Sequence, residues 1–395
     1  MSAPTRSPRR RGLALAGAVA VLALLSVPAP SAAAAVPAEV PPLTGENLGP
    51  DRLPRCAEVV ASMSPRERVA QRLMVGVDAA DPAGTGRTVH TSQVGGIFIG
   101  GNATDLLVDQ ELRGVQAVSR IPIAVAVDDE GGRVQRIDEL DGPLPSARAM
   151  VARMSPEEVR RTAAERAGKL LARGITMNMA PTVDVGQQPA GSVIGDRSFG
   201  GDAETVTTFA RAYAEGQRER GVFTVLKHFP GHGHANGDSH RGRVSTPPLD
   251  ELRELDLLPY ANLIGPDGPL SSREGRDRTG VMVGHLDVPG LTDDLPTSLS
   301  PAAYRLLRED YGFDGLVLTD DLGAMKAVTG RFDLPEAVER ALGAGADMAL
   351  WSTGGDVTAL LDDLEAALAA GRLDAEANDT AVQRVLSAKG VCGRS

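Results

Sequence analysis

The segment from Lys227 to His234 holds a dense set of chemically reactive side chains. With the loop that follows, it contains four of the six histidines of the chain, namely His228, His232, His234 and His240. Pro230 and Gly231 are incompatible with a regular helix, so we expect the backbone to turn tightly and to direct its side chains inward. Lys227 is one of only four lysines beside 37 arginines, and its compact ammonium group is suited to binding a hydroxyl or a carboxylate.

Histidines at this spacing raise the question of a metal site. In zinc enzymes the His-x-x-x-His spacing works because a helix places both imidazoles on one face. Pro230 and Gly231 remove that helix, so we expect no metal ligands and no cofactor. A metal-dependent hydrolase stays open as an alternative, which inhibition by a chelator would support. We expect His232 and His234 to satisfy backbone groups of the loop, and His228 and His240 to take part in function.

A carboxylate and an imidazole lie two residues apart in the triplet Asp238-Ser239-His240. A carboxylate at this separation can orient an imidazole and raise its basicity, as in the Asp–His pairs of hydrolases. An Asp-x-His match alone occurs by chance, but this one lies in the loop after the apolar run that ends in Lys227. The triplet is therefore a candidate acid/base pair.

Asp320 follows the apolar run 315–318 and opens the motif Thr-Asp-Asp-Leu-Gly-Ala-Met at 319–325. A carboxylate at the tip of a strand can attack an anomeric carbon and form a glycosyl ester. The alternative is that Asp320 or Asp321 caps the following helix. We interpret Asp321 as the cap and Asp320 as the reactive group.

Two further segments carry groups that bind polar rings. The first, 128–136, reads Asp-Asp-Glu-Gly-Gly-Arg-Val-Gln-Arg, with a glycine pair where the backbone has to approach another group closely. The second, 196–199, contributes Arg197. Carboxylates that accept from sugar hydroxyls and arginines that donate to them are the usual contacts of a sugar ring. Both segments are therefore candidates for substrate binding.

Eight short apolar runs predict eight buried strands, separated by stretches with helix signals. The runs are 72–77, 94–99, 121–127, 174–180, 222–227, 280–285, 315–319 and 346–351. The predicted helices include one opened by Ser64-Pro65 and those at 156–173, 203–220, 301–311 and 334–343. Apolar strands that alternate with helices form parallel sheets. Eight such units predict a single-domain α/β fold, the (β/α)8 TIM barrel, with an open doubly wound sheet as the alternative.

The ends of the predicted strands favour the barrel, because most of them carry polar or aromatic residues. These residues are Asp128, Asp184, Lys227 with His228, His285, Asp320 and Trp351. In a (β/α)8 barrel the active site lies at the carboxyl ends of the strands. We therefore expect one site that spans the whole rim.

The amino-terminal 36 residues have the order of a signal peptide. A basic stretch precedes the apolar run 13–27, and small residues at 31–35 suit cleavage. We expect 37–55 to be a linker, 56–395 to form the barrel, and the protein to be secreted, without stable membrane insertion after cleavage. A retained membrane anchor is the alternative, but the run is short for a span of about 20 residues, and no cysteine near the cut offers a site for a lipid.

The charge balance argues against a nucleic-acid partner. The formal net charge is −11, and removing the first 36 residues, which hold four Arg and no acid, leaves −11 − 4 = −15. The hydrophobic fraction of 42% is that of a globular protein with a packed core. We expect a monomer.

Two cysteines, Cys56 and Cys392, lie near opposite ends of the chain that remains after cleavage. In an oxidising compartment an even number of cysteines at such positions favours a disulfide that joins the two ends. Two unrelated free thiols are the alternative.

With these motifs in this order, the chain resembles glycoside hydrolase family 3, in its β-N-acetylhexosaminidase branch, over about residues 56–390. The resemblance implies a single (β/α)8 barrel, a retaining mechanism, and removal of non-reducing terminal N-acetylglucosamine, often from peptidoglycan fragments. The sequence departs from the family pattern at Asp129, where Gln is more usual, at 234–237, and in a polar insertion at 266–278.

The resemblance also implies roles for individual residues. Asp320 matches the nucleophile, and His240 matches the acid/base, oriented by Asp238. The matching sugar-binding residues are Asp128, Arg136, Arg197, Lys227 and His228. Other branches carry their acid/base on a second domain, but only 395 − 320 = 75 residues follow Asp320 here, so we expect the proton donor to come from the barrel.

Two other activities remain open at this point. One is a β-glucosidase or broad exo-β-glycosidase on the same barrel, and the other is a non-catalytic protein that binds cell-wall glycan. A muropeptide, a chitin oligomer and a glycolipid are all open as substrates, and transfer to phosphate is the alternative to hydrolysis.

Overall fold

The computed structural model describes residues 53–271 and 278–393, and its centre is a sheet of eight strands. They are β1 (Leu73–Val77), β2 (Gly96–Ile99), β3 (Ala124–Val127), β4 (Met177–Asn178), β5 (Phe223–Phe229), β6 (Thr279–Val283), β7 (Val317–Thr319) and β8 (Ala349–Trp351). The predicted signal peptide, residues 37–52 of the predicted linker and residues 272–277 of the predicted insertion at 266–278 lie outside the described residues.

The strands form a barrel. Their order is β7-β6-β5-β4-β3-β2-β1-β8, and every neighbouring pair is parallel. The two outer strands of that order, β7 and β8, meet through a parallel bridge between Leu318 and Met348. The predicted (β/α)8 barrel is therefore confirmed, and the alternative of an open doubly wound sheet is wrong.

The eight predicted strands are all present, with shorter bounds in most cases. The exception is β5, which continues to Phe229, so Lys227 is not its last residue and His228 lies within the strand and not after it. Their backbone bonds explain the extension: Thr182 pairs with Lys227, and Gly284 N donates to Phe229 O.

Helices separate the strands along the chain. They are α1 (Cys56–Ala61), α2 (Pro65–Gln71), α3 (Pro82–Ser92), α4 (Glu111–Ala117), α5 (Asp138–Asp141), α6 (Ala147–Arg153), α7 (Pro156–Ala172), α8 (Ala203–Glu219), α9 (Leu249–Glu254), α10 (Leu258–Ile264), α11 (Pro301–Arg305), α12 (Lys326–Thr329), α13 (Leu334–Ala344), α14 (Val357–Ala369) and α15 (Ala375–Ala388). Ser64 caps α2 as predicted, in a reciprocal capping box with Glu67. The helix predicted at 301–311 consists of α11 followed by a π-helical turn, Leu306–Asp310.

Apolar side chains pack in two layers because successive residues of a strand face opposite sides of the sheet. One layer includes Leu73, Val75, Ile97 and Ile99 together with apolar residues of the surrounding helices. The other, which consists mostly of strand residues, includes Met74, Phe98, Met177, Met282 and, directly before β8, Met348. Unbranched Met side chains fill irregular spaces well. We therefore expect the inner layer to pack the interior of the barrel.

Within the described residues, none of the helices has the length and apolar character that a membrane crossing requires.

The two ends of the described chain are joined. Cys56 and Cys392 form a disulfide with a Cα–Cα distance of 5.0 Å, and Arg55 pairs with Gly393 in a parallel bridge. Both half-cystines are buried in a small apolar cluster that links α1 to α15. The disulfide closes a loop with a sequence separation of 336 residues, so it restricts the unfolded chain strongly.

We expect replacement of both cysteines by serine to lower the free energy of unfolding by about 2–4 kcal/mol, since the unfolded chain regains the entropy of the open loop. Denaturant unfolding of the wild type and the double variant measures the difference. Reducing agent is the control, because it should destabilise the wild type only. Two titratable thiols in the non-reduced, denatured wild type would contradict the disulfide.

Candidate active site

A polar cavity of about 720 Å³ lies at the carboxyl ends of the barrel strands. All eight residues assigned above to catalysis or sugar binding line it: Asp128, Arg136, Arg197, Lys227, His228, Asp238, His240 and Asp320. They come from segments far apart in sequence, and the barrel brings them together because its parallel strands end at one rim.

Asp320 lies directly after β7 and is 7% exposed. Its Oδ1 accepts a hydrogen bond from the backbone N–H of Asp321 at 2.9 Å. Burial alone would raise the pKa of this carboxyl, but the positive fields of His228, His285 and Lys227 and the bond from Asp321 together lower it below its ordinary value. Asp320 is therefore a carboxylate near neutral pH, the form in which it can act as a nucleophile.

Asp321 does not cap a helix, so that part of the interpretation is wrong. Helix α12 begins only at Lys326, and the carboxylate of Asp321 instead accepts from the backbone N–H groups of Gly323 and Ala324, at 2.8 and 3.1 Å. It also bonds to the backbone N–H and the hydroxyl of Ser352. Asp321 thus fixes the turn that follows Asp320 and joins it to the end of β8.

Lys227 lies in a network of buried charges. Its Nζ is 2.5 Å from Asp128 Oδ1 and 2.6 Å from Glu130 Oε1. Burial opposes the charge of the ammonium group, yet these two carboxylates raise its pKa above the ordinary value. Lys227 is therefore a fixed cation in the wall of the cavity.

Glu130 joins Lys227 to Arg197. Both of its oxygens accept from the guanidinium group of Arg197, at 2.7 and 2.8 Å. Burial would raise the pKa of Glu130, but the two cations hold it well below its ordinary range. The sequence analysis missed Glu130. Its position two residues after Asp128 was the available signal, because residues at that spacing share one face of an extended chain.

His228 is oriented from behind by Asp184. The imidazole Nδ1 lies 2.7 Å from Asp184 Oδ2, and Asp184 Oδ1 accepts from the backbone N–H groups of His228 and His232. Because a carboxylate only accepts, Nδ1 carries a proton and Nε2 faces the other way, 3.4 Å from Arg197 Nη2. Asp184 is buried and supports the site without lining the cavity.

Asp129 bonds to a buried arginine behind the cavity. Its two oxygens lie 2.7 and 2.9 Å from Arg166 Nε and Nη2, and both side chains are almost fully buried. The bidentate geometry is the strong form of this pair. Asp129, which stands where the family more usually has Gln, is therefore paired with Arg166 of α7. The sequence analysis did not identify this partner.

Two glycines allow close approaches that the site requires. Gly131 has φ 99°, and a Cβ atom there would lie 2.2 Å from Pro145 O. A Cβ atom on Gly233 would lie 1.9 Å from Val185 O. Only glycine allows the backbone to pass at these distances.

Arg136 lines the cavity and is incompletely bonded. Its Nη1 donates to Gln135 O at 2.7 Å, and its backbone N–H donates to Asp129 Oδ2 at 2.9 Å. Its Nε is buried with no hydrogen-bond partner among the described residues. The guanidinium group thus retains donors that a ligand could occupy.

Asp238 and His240 form a local pair at the edge of the cavity. Asp238 Oδ1 lies 2.8 Å from His240 Nδ1 and accepts from His240 N at 3.0 Å. Burial of Asp238 would raise its pKa, but these bonds and the nearby charges lower it below the ordinary value. The imidazole is 55% exposed. The pair therefore resembles the orienting arrangement of hydrolases, in a position open to water.

Two other histidines, His234 and His285, hold structure in place. His234 Nδ1 bonds to the carboxylate of Asp256 at 3.0 Å, so it holds the loop through a side chain where a backbone group was expected. His285 is buried between Ser298 Oγ and Asp321 O. Neither His285 nor Trp351 lines the cavity, but its lining includes residues in or after each of the eight strands, so the site spans the whole rim as expected.

Within residues 53–271 and 278–393, no group of three or more histidine, cysteine, aspartate or glutamate side chains is arranged to hold a metal ion.

Comparison with known proteins identifies the family. Residues 64–388 match the sequence model described as "Glycosyl hydrolase family 3 N terminal domain".

Beta-hexosaminidase LpqI of Mycobacterium tuberculosis is 48% identical over 353 residues, covering 86% of this chain and 88% of that protein. The crystal structure of a GH3 glycosyl hydrolase from Mycobacterium smegmatis is 49% identical, with a TM-score of 0.77, over 85% of this chain and 98% of that one. A family 3 β-N-acetylglucosaminidase from Paenibacillus sp. is 31% identical, with a TM-score of 0.75, over 84% of this chain and 63% of that one. The chain therefore belongs to glycoside hydrolase family 3 and is a glycoside hydrolase.

Proposed function

We propose that the protein is an exo-acting, retaining β-N-acetylhexosaminidase that removes non-reducing terminal N-acetylglucosamine from β-linked glycans such as peptidoglycan fragments. The observation that carries the proposal is one cavity that contains both the buried carboxylate of Asp320 and the Asp238–His240 pair. The names of the relatives, beta-hexosaminidase and β-N-acetylglucosaminidase, support the preference for an N-acetylated sugar.

In the first step the carboxylate of Asp320 attacks the anomeric carbon, and the bond from that carbon to the leaving oxygen breaks. His240 gives its proton to that oxygen, so the aglycone leaves as a neutral alcohol and a glycosyl ester of Asp320 forms. The lowered pKa of Asp320 supports this role, because the nucleophile is already ionised before substrate binds.

In the second step a water molecule attacks the glycosyl ester while His240 takes its proton. The bond to Asp320 breaks, the carboxylate is released, and the two inversions give net retention at the anomeric carbon. An imidazole at the edge of the cavity is open to water in this step, and Asp238 keeps its Nδ1 protonated so that Nε2 exchanges the proton.

We assign five residues to the sugar hydroxyls and the acetamido group: Asp128, Arg136, Arg197, Lys227 and His228. Their remaining hydrogen-bonding capacity supports the assignment. Lys227 bonds to two carboxylates among the described residues and keeps a third N–H for a ligand. Arg136 lines the cavity, and its Nε has no hydrogen-bond partner among the described residues.

We propose further that the protein is exported as a monomer to the bacterial extracellular or cell-wall space. The order of residues at the amino terminus is that of a signal peptide. The disulfide between Cys56 and Cys392 fits an oxidising compartment.

We expect the purified protein to cleave an aryl N-acetyl-β-glucosaminide at least roughly tenfold faster than the matching aryl β-glucoside, since a glucoside leaves the groups that bind the acetamido group unpaired. The assay compares kcat/KM for the two substrates, with and without phosphate. Faster cleavage of the glucoside would instead indicate a β-glucosidase. Release of a sugar 1-phosphate would indicate transfer to phosphate in place of hydrolysis, and glycan binding without any sugar release would indicate a non-catalytic protein.

We expect Asp320→Ala to reduce turnover of the aryl N-acetyl-β-glucosaminide by roughly a thousandfold or more, because the glycosyl ester can no longer form. Asp267→Ala is the matched control, since Asp267 is an exposed carboxylate outside the cavity. Near-normal rates for Asp320→Ala would exclude Asp320 as nucleophile.

We expect His240→Gly to reduce kcat/KM for substrates with poor leaving groups far more than for activated aryl substrates, by roughly a hundredfold against a few-fold, because an acidic phenol departs without protonation. His90→Ala is the control, as His90 is exposed on α3. Equal losses on both kinds of substrate would argue against the acid/base role.

A further inference from the structure

Ser239 is buried between a half-buried neighbour, Asp238, and an exposed one, His240. It is 2% exposed, whereas the side chains of Asp238 and His240 are 32% and 55% exposed. A long, exposed loop needs some fixed contact if it is to present an imidazole at a defined place. Ser239 is the residue of the triplet that is placed to supply this contact.

The contacts of Ser239 reach other parts of the barrel. Its carbonyl oxygen accepts from Ala327 N at 3.1 Å, and its hydroxyl lies 3.7 Å from Met325 Sδ and 3.5 Å from His232 Nε2. By contrast, the hydrogen bonds of Asp238 and His240 within the described part of the chain all stay inside the segment 238–241.

The groups that Ser239 contacts are themselves fixed. Met325 and Ala327 belong to the segment that follows Asp320, and the bonds of Asp321 hold the start of that segment against β8. On the other side, the backbone N–H of His232 donates to Asp184 at 2.7 Å, and Asp184 also orients His228. Ser239 therefore connects the loop to the nucleophile segment and to the end of β5.

We infer that Ser239 is a positioning residue, which docks the loop of the proposed proton donor against the segment that carries the proposed nucleophile. The inference rests on the proposed function, because it assigns Ser239 its effect through His240. Ser239 itself touches no reacting atom; it sets where the imidazole lies relative to Asp320.

This role has a kinetic signature that ordinary packing lacks. A misplaced imidazole slows only those glycosylation steps that need a proton, so the loss in kcat/KM grows as the leaving group becomes more basic. A general loss of structure would slow all substrates alike. The value of kcat/KM is the right measure because it reports the steps through formation of the glycosyl ester.

The test measures kcat/KM of Ser239→Ala for phenyl and 2,4-dinitrophenyl N-acetyl-β-glucosaminide. We expect a loss of roughly fivefold to tenfold for the phenyl substrate, the size of one lost hydrogen bond, and less than about twofold for the dinitrophenyl substrate. Ser245→Ala is the matched control: Ser245 is half-buried in the same loop, donates to Thr246 O, and does not line the cavity. It should match the wild type on both substrates.

A second variant tests the backbone bond. Ala327→Pro removes the N–H that donates to Ser239 O, and proline is tolerated in the first turn of a helix such as α12. We expect Ala327→Pro to show the same larger loss in kcat/KM for the phenyl substrate than for the dinitrophenyl substrate. Ala327→Ser, which keeps the N–H, is the control and should match the wild type on both substrates. Thermal unfolding identifies any variant whose loss comes from misfolding.

Two results would overturn the inference: wild-type kinetics for both Ser239→Ala and Ala327→Pro, or equal losses on the two substrates in folded protein. Failure of the proposed function looks different. In that case the wild type does not cleave these substrates, or His240→Gly itself shows no dependence on the leaving group.

Discussion

The site depends on the burial of Lys227 within hydrogen-bonding distance of two carboxylates. An isolated ammonium group in this position would cost several kcal/mol, and removing one partner from such a buried network leaves an unpaired charge. Asp128 and Glu130 follow β3, and Lys227 lies within β5. The pairing therefore fixes two parts of the barrel rim that are far apart in sequence. Arg197 is fixed as well, because it pairs with the same Glu130.

Three consecutive acidic residues follow β3, and the alternation of an extended chain separates their roles. Asp128 and Glu130 lie on one side and meet Lys227, while Asp129 between them lies on the other side and meets Arg166 on α7. The pair behind the sheet anchors the segment from which the other two carboxylates reach the cavity. A substitution at Asp129 would thus act on the site through the position of its neighbours.

The sequence indicated the eight strands and the barrel because apolar runs at regular intervals leave few other folds. It also indicated the residues of the cavity, since strand ends converge in a barrel. The pairings between distant segments could not be read in this way: Asp184 with His228 and Asp129 with Arg166 depend on which side chains meet after folding. Asp321 was misinterpreted because a turn uses the same carboxylate-to-backbone bonds as a helix cap.

The structure separates a buried carboxylate from an exposed imidazole, and the proposed chemistry gives a reason for each. A nucleophile has to be ionised, and the fields of His228, His285 and Lys227 lower the pKa of Asp320 despite its burial. A proton shuttle has to meet first a departing alcohol and then a water molecule, so it needs open space beside it. His240 has that space because its own loop, and not the barrel wall, supports it. An exposed imidazole on an unattached loop would be poorly placed. The contacts of the buried Ser239 give the loop a defined position while the neighbouring imidazole of His240 stays open to water.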